Sequence, residues 1–510
     1  MSPVVLFLFI IIYFIILLVL AYYTSRNSSN EAFFIGNRNS NWMLVAFGMI
    51  GTSLSGVTFI SVPGTVGDFA GDAHKSFVYF QVVIGYWLGY FVIAFILLPL
   101  YYRLHLTSIY HYLRQRFGTV AYKTGATFFI ISRTIGATAR LYLVINVIQI
   151  FILDALHVPF IITAVFILLM IILYTFKGGV KTIVYTDTLQ TLFMLSGLVV
   201  CIIFILNSLD ISMGTALTSM RSEGLFNIFN TDLNSRYFFL KQIIGGMVIT
   251  IAMTGLDQEM MQKNISVKTL AGSKKNMLTF SFIIVIVNFL FLTLGGLLYL
   301  YMMQQGAAYD NHAFVYNGIN IIGDDIFPTV ALKVFPQIIS IIFIVALISA
   351  LFPSADGALT ALTSSFCIDI LGVKRDAGMN ENRMKRTRMT VHLIFAAIFL
   401  VCVIIFRMIN DKSIINIILD LAGYTYGPLL GLFAFGIFTK RHLNNTAGIP
   451  VVCLISPLIC YLLSYHAKGL LHNYQIGIEL LLINGILTFT GLLLISSKNT
   501  LSEKQLTETL

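Results

Sequence analysis

Apolar residues fill this chain in long blocks, and polar residues are largely confined to the gaps between them. A block of about 20 apolar residues spans the hydrocarbon core of a bilayer as a helix. By that rule about 13 segments qualify, at approximately 3–23, 42–68, 77–101, 124–153, 158–176, 182–206, 237–256, 277–302, 335–366, 389–409, 414–438, 446–466 and 475–496. The blocks are apolar all round rather than along one stripe, so periodicity offers no soluble reading. The pattern predicts an all-α polytopic membrane protein with the lipid bilayer as its solvent. The first block, Pro3 to Tyr23, lacks a basic n-region and a clear small-residue cleavage site, so it reads as a retained helix rather than a signal peptide.

Composition agrees. Of 510 residues, 58% are hydrophobic and 11% are charged, and mean hydropathy is +0.88. A soluble surface of this size needs far more charge. The net charge of +10 would suggest nucleic-acid binding in a soluble protein. Here the basic residues sit between apolar blocks, as cytoplasmic loops of membrane proteins do, and no nucleic-acid partner is expected. With the N-terminus outside, inner loops carry Arg103, Arg114, Arg116, Lys123, Lys177, Lys181, Lys263, Lys268, Lys274, Lys275 and the stretch Lys374 to Arg388. Outer loops and helix ends keep few, among them Arg221, Arg236 and Lys333. The bias predicts an inner (plasma) membrane protein with its N-terminus outside and its tail, 497–510, in the cytoplasm. The outer loops 207–236 and 303–334 are long and are expected to cap the outer face. The cysteines Cys201, Cys367, Cys402, Cys453 and Cys460 lie in or beside apolar segments without a CxxC, and read as packing residues.

Candidate chemistry lies where the spans are broken or carry charge. A broken helix frees carbonyl oxygens for cations, and half-helix ends supply partial charge. The second span holds Gly48, Gly51, Ser53, Ser55, Gly56, Ser61, Pro63 and Gly64, a density that no uniform helix sustains. The seventh carries Gly245-Gly246 and ends at Gly255; close helix packing explains those glycines as well as a break does. Ionisable groups inside spans are costly and need a reason. Asp187 sits just inside the sixth span. Asp356 sits in Pro353-Ser354-Ala-Asp356-Gly357, deep in an apolar span. Pro353 has no N–H for the Ser349 carbonyl, so a free carbonyl, a hydroxyl and a carboxylate fall within about one turn. That set suits a small hard cation; the other reading is a proline kink with Asp356 paired to a distant base. Arg133 and Arg140 are seven apart on one helix face. They read as a fork for a solute carboxylate or as partners of buried acids. Gln81 is a further candidate to hydrogen-bond a solute, or an ordinary helix-end glutamine. No Walker A, GxSxG or HExxH sequence is present, and no acid–base cluster supports a membrane enzyme.

These residues carry a resemblance. Thr52-Ser-Leu-Ser-Gly-Val-Thr-Phe-Ile-Ser-Val-Pro63, Leu106-Thr-Ser-Ile-Tyr-His-Tyr-Leu113, Tyr174-Thr-Phe-Lys-Gly-Gly-Val-Lys-Thr-Ile-Val-Tyr-Thr-Asp187-Thr-Leu-Gln190, Asp257-Gln258 and Gly427-Pro-Leu-Leu-Gly-Leu-Phe-Ala-Phe-Gly-Ile-Phe-Thr-Lys-Arg441 occur in the order and spacing of the sodium/solute symporter family. That family includes bacterial sialic acid, proline, pantothenate and galactose transporters. The resemblance implies secondary active transport, not enzymatic activity. It implies sodium as the co-transported ion, a small organic solute (a carboxylate such as sialic acid, or a sugar), and no obligate protein partner.

It also implies a LeuT-type fold of two inverted five-helix repeats. These would occupy 41–206 and 237–438, with an extra helix and cytoplasmic loop in 1–40, an external loop at 207–236, and two further helices and the tail in 439–510. The family's sodium site maps onto Gly51, Leu54, Ala350, Pro353 and Ser354. A second site found in some members maps onto Asp187 and hydroxyls of the eighth core helix. Solute contacts map onto Ser55 and Thr58, and a carboxylate-gripping arginine onto Arg133. This chain departs where the family usually shows serines: Pro353 replaces one, and Asp356 and Gly357 replace two. Two carboxylates near one cation leave proton-coupled symport through Asp187 and Asp356 open as an alternative. A non-transporting sensor on the same fold is another.

Overall fold

The computed structural model describes residues 3–25, 33, 39–67, 76–310, 313–321, 323–373, 380–409, 414–443, 447–470 and 474–497. The expected cytoplasmic tail beyond 497 lies outside them, as does the first part of the Lys374 to Arg388 stretch. In chain order the main helices are α1 (Pro3–Ser25), α2 (Trp42–Ser53), α3 (Gly56–Gly64), α4 (Tyr79–Val92), α5 (Thr119–Ile148), α6 (Phe160–Leu209), α7 (Phe239–Thr250) and α8 (Gln258–Ile265). They continue with α9 (Leu270–Gln304), α10 (Gln337–Ser365), α11 (Glu381–Ile409), α12 (Ile414–Thr425), α13 (Gly427–Phe438), α14 (Gly448–Leu470) and α15 (Leu480–Leu494).

Among the described residues, 8 helices are long and apolar enough to cross a membrane, or 11 if each of three bent pairs is one span. The stretches Phe160–Thr175 and Leu480–Leu494 are shorter apolar helices. Each segment expected from the sequence overlaps these helices, with 158–176 and 182–206 sharing the continuous α6 and with 42–68 and 414–438 each divided between two helices. In hydrocarbon each backbone polar group must be satisfied within its own segment, which is why apolar runs of this length fold as helices. Polar side chains close the ends: Asn41 Oδ1 accepts from the Met43 N–H at 2.8 Å, and Thr269 Oγ1 from the Gly272 N–H at 3.1 Å. Leu8, Ile15 and Val19 of α1, Ile394 and Val401 of α11, and Leu454 and Leu458 of α14 all face outward, as a lipid-facing belt requires.

The gaps between spans differ from expectation in several places, three of which lie away from the candidate site. The backbone stays helical through 176–181, where a loop was expected. Arg383, Lys385, Arg386 and Arg388 lie in the first turns of α11 rather than in a loop. The Arg388 guanidinium stacks 4.0 Å over the Phe33 ring, a use of arginine that charge counting does not see. The 303–334 gap holds a small antiparallel sheet, Ala308–Asp310, Ala313–Tyr316 and Ile319–Asn320. Its second turn uses Asn317 and Gly318, both at positive φ, the residue pair that a two-residue hairpin favours.

Gly245-Gly246 resolves as packing rather than as a break. A Cβ on Gly246 would lie 2.3 Å from the Val82 carbonyl oxygen, and one on Gly85 would lie 2.2 Å from that of Ile243. Backbone therefore meets backbone along α4 and α7. Gly246→Val is expected to cost about 3 kcal/mol or more, because neither strand of the contact is a flexible side chain. Gly136→Ala is the control. Nothing lies within 4 Å of a Cβ there, so helix propensity alone is expected to stabilise the protein by up to about 1 kcal/mol. Thermal unfolding of both variants in detergent checks the pair of signs.

Candidate functional site

The site is built where two bent pairs meet. Between α2 and α3 the chain bends by 54°. Leu54 leaves helical geometry at φ −88° and ψ 75°, and Ser55 is extended at φ −76° and ψ 177°. The Leu54 N–H still donates to the Ile50 carbonyl at 2.8 Å, and the next helical bond starts at the Ser55 carbonyl. Among the described residues, the carbonyls of Gly51 to Leu54 thus lack the backbone donors that a continuing helix would supply. Between α7 and α8 the bend is 65°. There Asp257 caps α8, accepting from the Glu259 N–H at 2.9 Å and the Met260 N–H at 3.2 Å.

A cavity of about 110 Å³ opens beside the first break. The break contributes Thr52, Ser53, Leu54, Ser55 and Thr58; α4 adds Tyr79, Tyr86 and Tyr90; α5 adds Arg133 and Arg140. Thr254, Met260, Asn288 and Leu419 help to close the other sides. The walls mix apolar and aromatic side chains with hydroxyls, the Asn288 amide and the two guanidinium groups. The Tyr79 and Tyr86 hydroxyls are 3.3 Å apart, so both phenols address the same space.

The two arginines, equivalent in sequence, part company here. Arg133 is buried, ion-paired with Glu259, and its Nε lies 3.8 Å from Asp257 Oδ2. The Tyr426 hydroxyl donates to the same Asp257 oxygen at 3.3 Å. Arg133 therefore spends its charge on the protein. Arg140 is half-buried on the cavity wall and has no ion pair or hydrogen bond among the described residues. The resemblance pointed to Arg133 as the carboxylate ligand; the geometry gives that opportunity to Arg140.

Behind the cavity, the residues expected at a sodium site lie at the end of α2, at Leu54 just beyond it, and on the proline turn of α10. A Cβ on Gly51 would lie 3.4 Å from Pro353 Cγ, so the end of α2 rests directly on the proline turn. Ala350, Pro353 and Ser354 are buried there, and Ser354 Oγ donates to the Leu351 carbonyl at 3.0 Å, leaving oxygen lone pairs free. Open carbonyls from Gly51 and Leu54 with the Ser354 hydroxyl are hard neutral oxygens, a donor set that fits sodium.

The carboxylates do not join that set as expected. Asp187 Oδ2 accepts from the Lys263 ammonium at 2.7 Å and from Thr52 Oγ1 at 3.3 Å. Asp356 Oδ2 accepts from the Tyr174 hydroxyl at 2.6 Å, rather than from a distant base. Lys263 itself is a correction. Counted above as an inner-loop charge, it is buried on α8. A rule that ends a span after 20 apolar residues cannot see that the span bends at Leu256 and continues as a short polar half-helix. Glu259, four residues before Lys263 and pointing the same way, was missed for the same reason. Gln81 also stands apart from the cavity. Its amide donates to the Val78 and Tyr237 carbonyls at 3.1 and 3.3 Å and accepts from the Asn230 N–H at 3.3 Å. It fastens the segment from Asn230 to Tyr237 to α4. Tyr79, Tyr86 and Asn288 were legible in principle: the tyrosines lie seven apart on one face, and Asn288 is a lone amide within an apolar span.

Comparison with known proteins bears on the family and the fold. The profile of the sodium:solute symporter family matches residues 33–449. The sodium/sialic acid symporter SiaT of Proteus mirabilis is 25% identical over 87% of this chain and 86% of its own length. The sodium/sialic acid symporter NanT of Aliivibrio fischeri is 23% identical over 85% and 82%. Among solved structures, a substrate-bound, outward-open Na+-coupled sialic acid symporter superposes with a TM-score of 0.79 at 20% identity, covering 95% of this chain and 96% of that one. The transporter MHP1 of the nucleobase-cation-symport-1 family superposes at 0.55 and 13% identity over 95% and 100%.

Proposed function

Because the chain belongs to the sodium:solute symporter family, a multi-pass, LeuT-fold membrane transporter that couples a small solute to sodium, we propose that its solute carries a carboxylate gripped by Arg140. The observation that carries this reading is a half-buried guanidinium with no ion pair or hydrogen bond among the described residues, set in the wall of a cavity beside the α2–α3 break. A buried cation needs an anion, and a planar fork matches a carboxylate best. The names of the bacterial relatives make a sialic acid the first candidate. Ser55 and Thr58 supply hydroxyls from the break, and Tyr79, Tyr86 and Asn288 supply the polar rim.

Sodium enters at Gly51, Leu54, Ala350, Pro353 and Ser354. It orders the open end of α2 against α10, which sets Ser55 and Thr58 for solute. The coupling is reciprocal, so solute tightens sodium by the same factor. The bent pairs α2–α3 and α7–α8 open the two inverted repeats, 41–206 and 237–438, and rocking of one bundle on the other exposes the site alternately. The excess of Lys and Arg in alternate loops orients the N-terminus outside the inner membrane, and the inward sodium gradient drives the solute into the cell.

The test is uptake of labelled sialic acid by the full chain in proteoliposomes, with an inward sodium gradient at fixed pH. The expected result is sodium-dependent accumulation, competed by unlabelled carboxylate-bearing sugars and not by their neutral methyl esters. Equal competition by the esters would remove the role of Arg140. Uptake driven by a pH gradient and indifferent to sodium would replace sodium with a proton carried by Asp187 and Asp356.

A further inference from the structure

The cluster behind the cavity already contains a cation, supplied by the chain. The Lys263 ammonium sits where α2, α6 and α8 converge. It donates to Asp187 Oδ2 at 2.7 Å and to Thr52 Oγ1, with Glu259 Oε1 at 3.6 Å. An ammonium has three donors and no acceptor; here two are used and the third faces the Glu259 carboxylate. Its side chain is 3% exposed, and that of Asp187 is fully buried. An ion could not share Asp187 Oδ2 and the Thr52 hydroxyl with a nitrogen already in contact with both.

The surrounding residues are shaped for this occupant. A Cβ on Gly357 would lie 2.1 Å from Glu259 Oε1, so any side chain there would displace the carboxylate that faces Lys263 and pairs with Arg133. The glycine on α10 and the acid and base on α8 therefore belong to one arrangement. Around the ammonium remain acceptors that it does not saturate: Asp187 Oδ1, Asp356 Oδ1 and Glu259 Oε1 are buried without hydrogen-bond partners among the described residues.

We infer that Lys263 is a tethered cation filling the carboxylate-lined position at Asp187, so that this symporter carries sodium at the α2–α10 site alone while its own side chain closes a second monovalent-cation position. A tethered charge cannot leave on the far side of the membrane. It adds nothing to the driving force, but it holds the α2 break, α6 and α8 in register. Without the ammonium, the same oxygens form an open site for a free monovalent ion. The inference rests on the symporter reading above for its α2–α10 ion, and on the Lys263 geometry alone for its second position.

Equilibrium binding of radioactive sodium to the purified full-length protein tests it. The wild type is expected to bind one sodium per chain with a Hill coefficient near one. Lys263→Met is expected to bind two, and Lys263→Met with Asp187→Asn to return to one. Two ions on the wild type, or no gain in Lys263→Met, would overturn the inference. If the wild type binds none and Lys263→Met binds one, the tethered-cation inference stands and the α2–α10 sodium site fails instead. Should Lys263→Met not fold, the wild-type count still decides: one ion supports the inference and two overturn it.

Discussion

Arg140→Ala is expected to raise the KM for a carboxylate-bearing solute about 100-fold while leaving the protein folded. A hydrogen-bonded charged contact contributes about 1.5–3 kcal/mol, and a bidentate one lies at the upper end. Loss of an interaction made equally in the ground and transition states appears in KM rather than in the maximal rate. Folding is spared because no carboxylate among the described residues is ion-paired with Arg140: the acids nearby already have Arg133 and Lys263. Arg140→Lys keeps the charge and loses the planar fork, so it is expected to fall between, at about tenfold. Concentration dependence of labelled sialic acid uptake, beside thermal unfolding of the same preparations, measures both halves. A variant that transports with an unaltered KM would take Arg140 out of the solute site.

The sequence displayed the scaffold far better than the site's electrostatics, and the reason is physical. Spans are written in composition: an apolar block has one stable form in hydrocarbon, so its place in the chain is its place in the fold. The α2–α3 break was legible too, because glycine, serine and proline disfavour helix wherever they sit. Pairing is different. Arg133 and Arg140 share residue type, helix and face, and only the position of α8 decides which is neutralised. Nothing local to either arginine records that Glu259 and Asp257 lie against the first and not the second. The same half-helix hid Lys263, whose neighbours Gln262, Asn264 and Ser266 read as a polar loop. Their burial follows from the 65° bend and from the tertiary contacts that repay it. The departure at Gly357 was visible in the sequence, but its meaning required the Glu259 carboxylate to be seen 2.1 Å from the Cβ it lacks.

Arg133→Met is expected to damage the fold more than it damages solute recognition. The guanidinium is paired with Glu259 and adjacent to Asp257, with side chains 4%, 2% and 0% exposed. Removing one member of a buried pair strands the charge of the other and costs about 3–5 kcal/mol, whereas replacing both with apolar or neutral groups of similar shape is often close to neutral. Arg133→Met with Glu259→Gln is therefore expected to recover a large part of the loss. Asp257 still lacks its cation in the double variant, although it keeps the Tyr426 hydroxyl and the α8 N–H groups. A double-mutant cycle read by thermal unfolding isolates the coupling, which for residues in one ion pair amounts to about 1–3 kcal/mol. The competing view makes Arg133 the solute's ligand. It predicts that Arg133→Met folds normally with a raised KM, and that Glu259→Gln repairs nothing. The cycle therefore assigns each arginine its role: rescue of stability by Glu259→Gln marks Arg133 as part of the frame and leaves Arg140 to hold the solute.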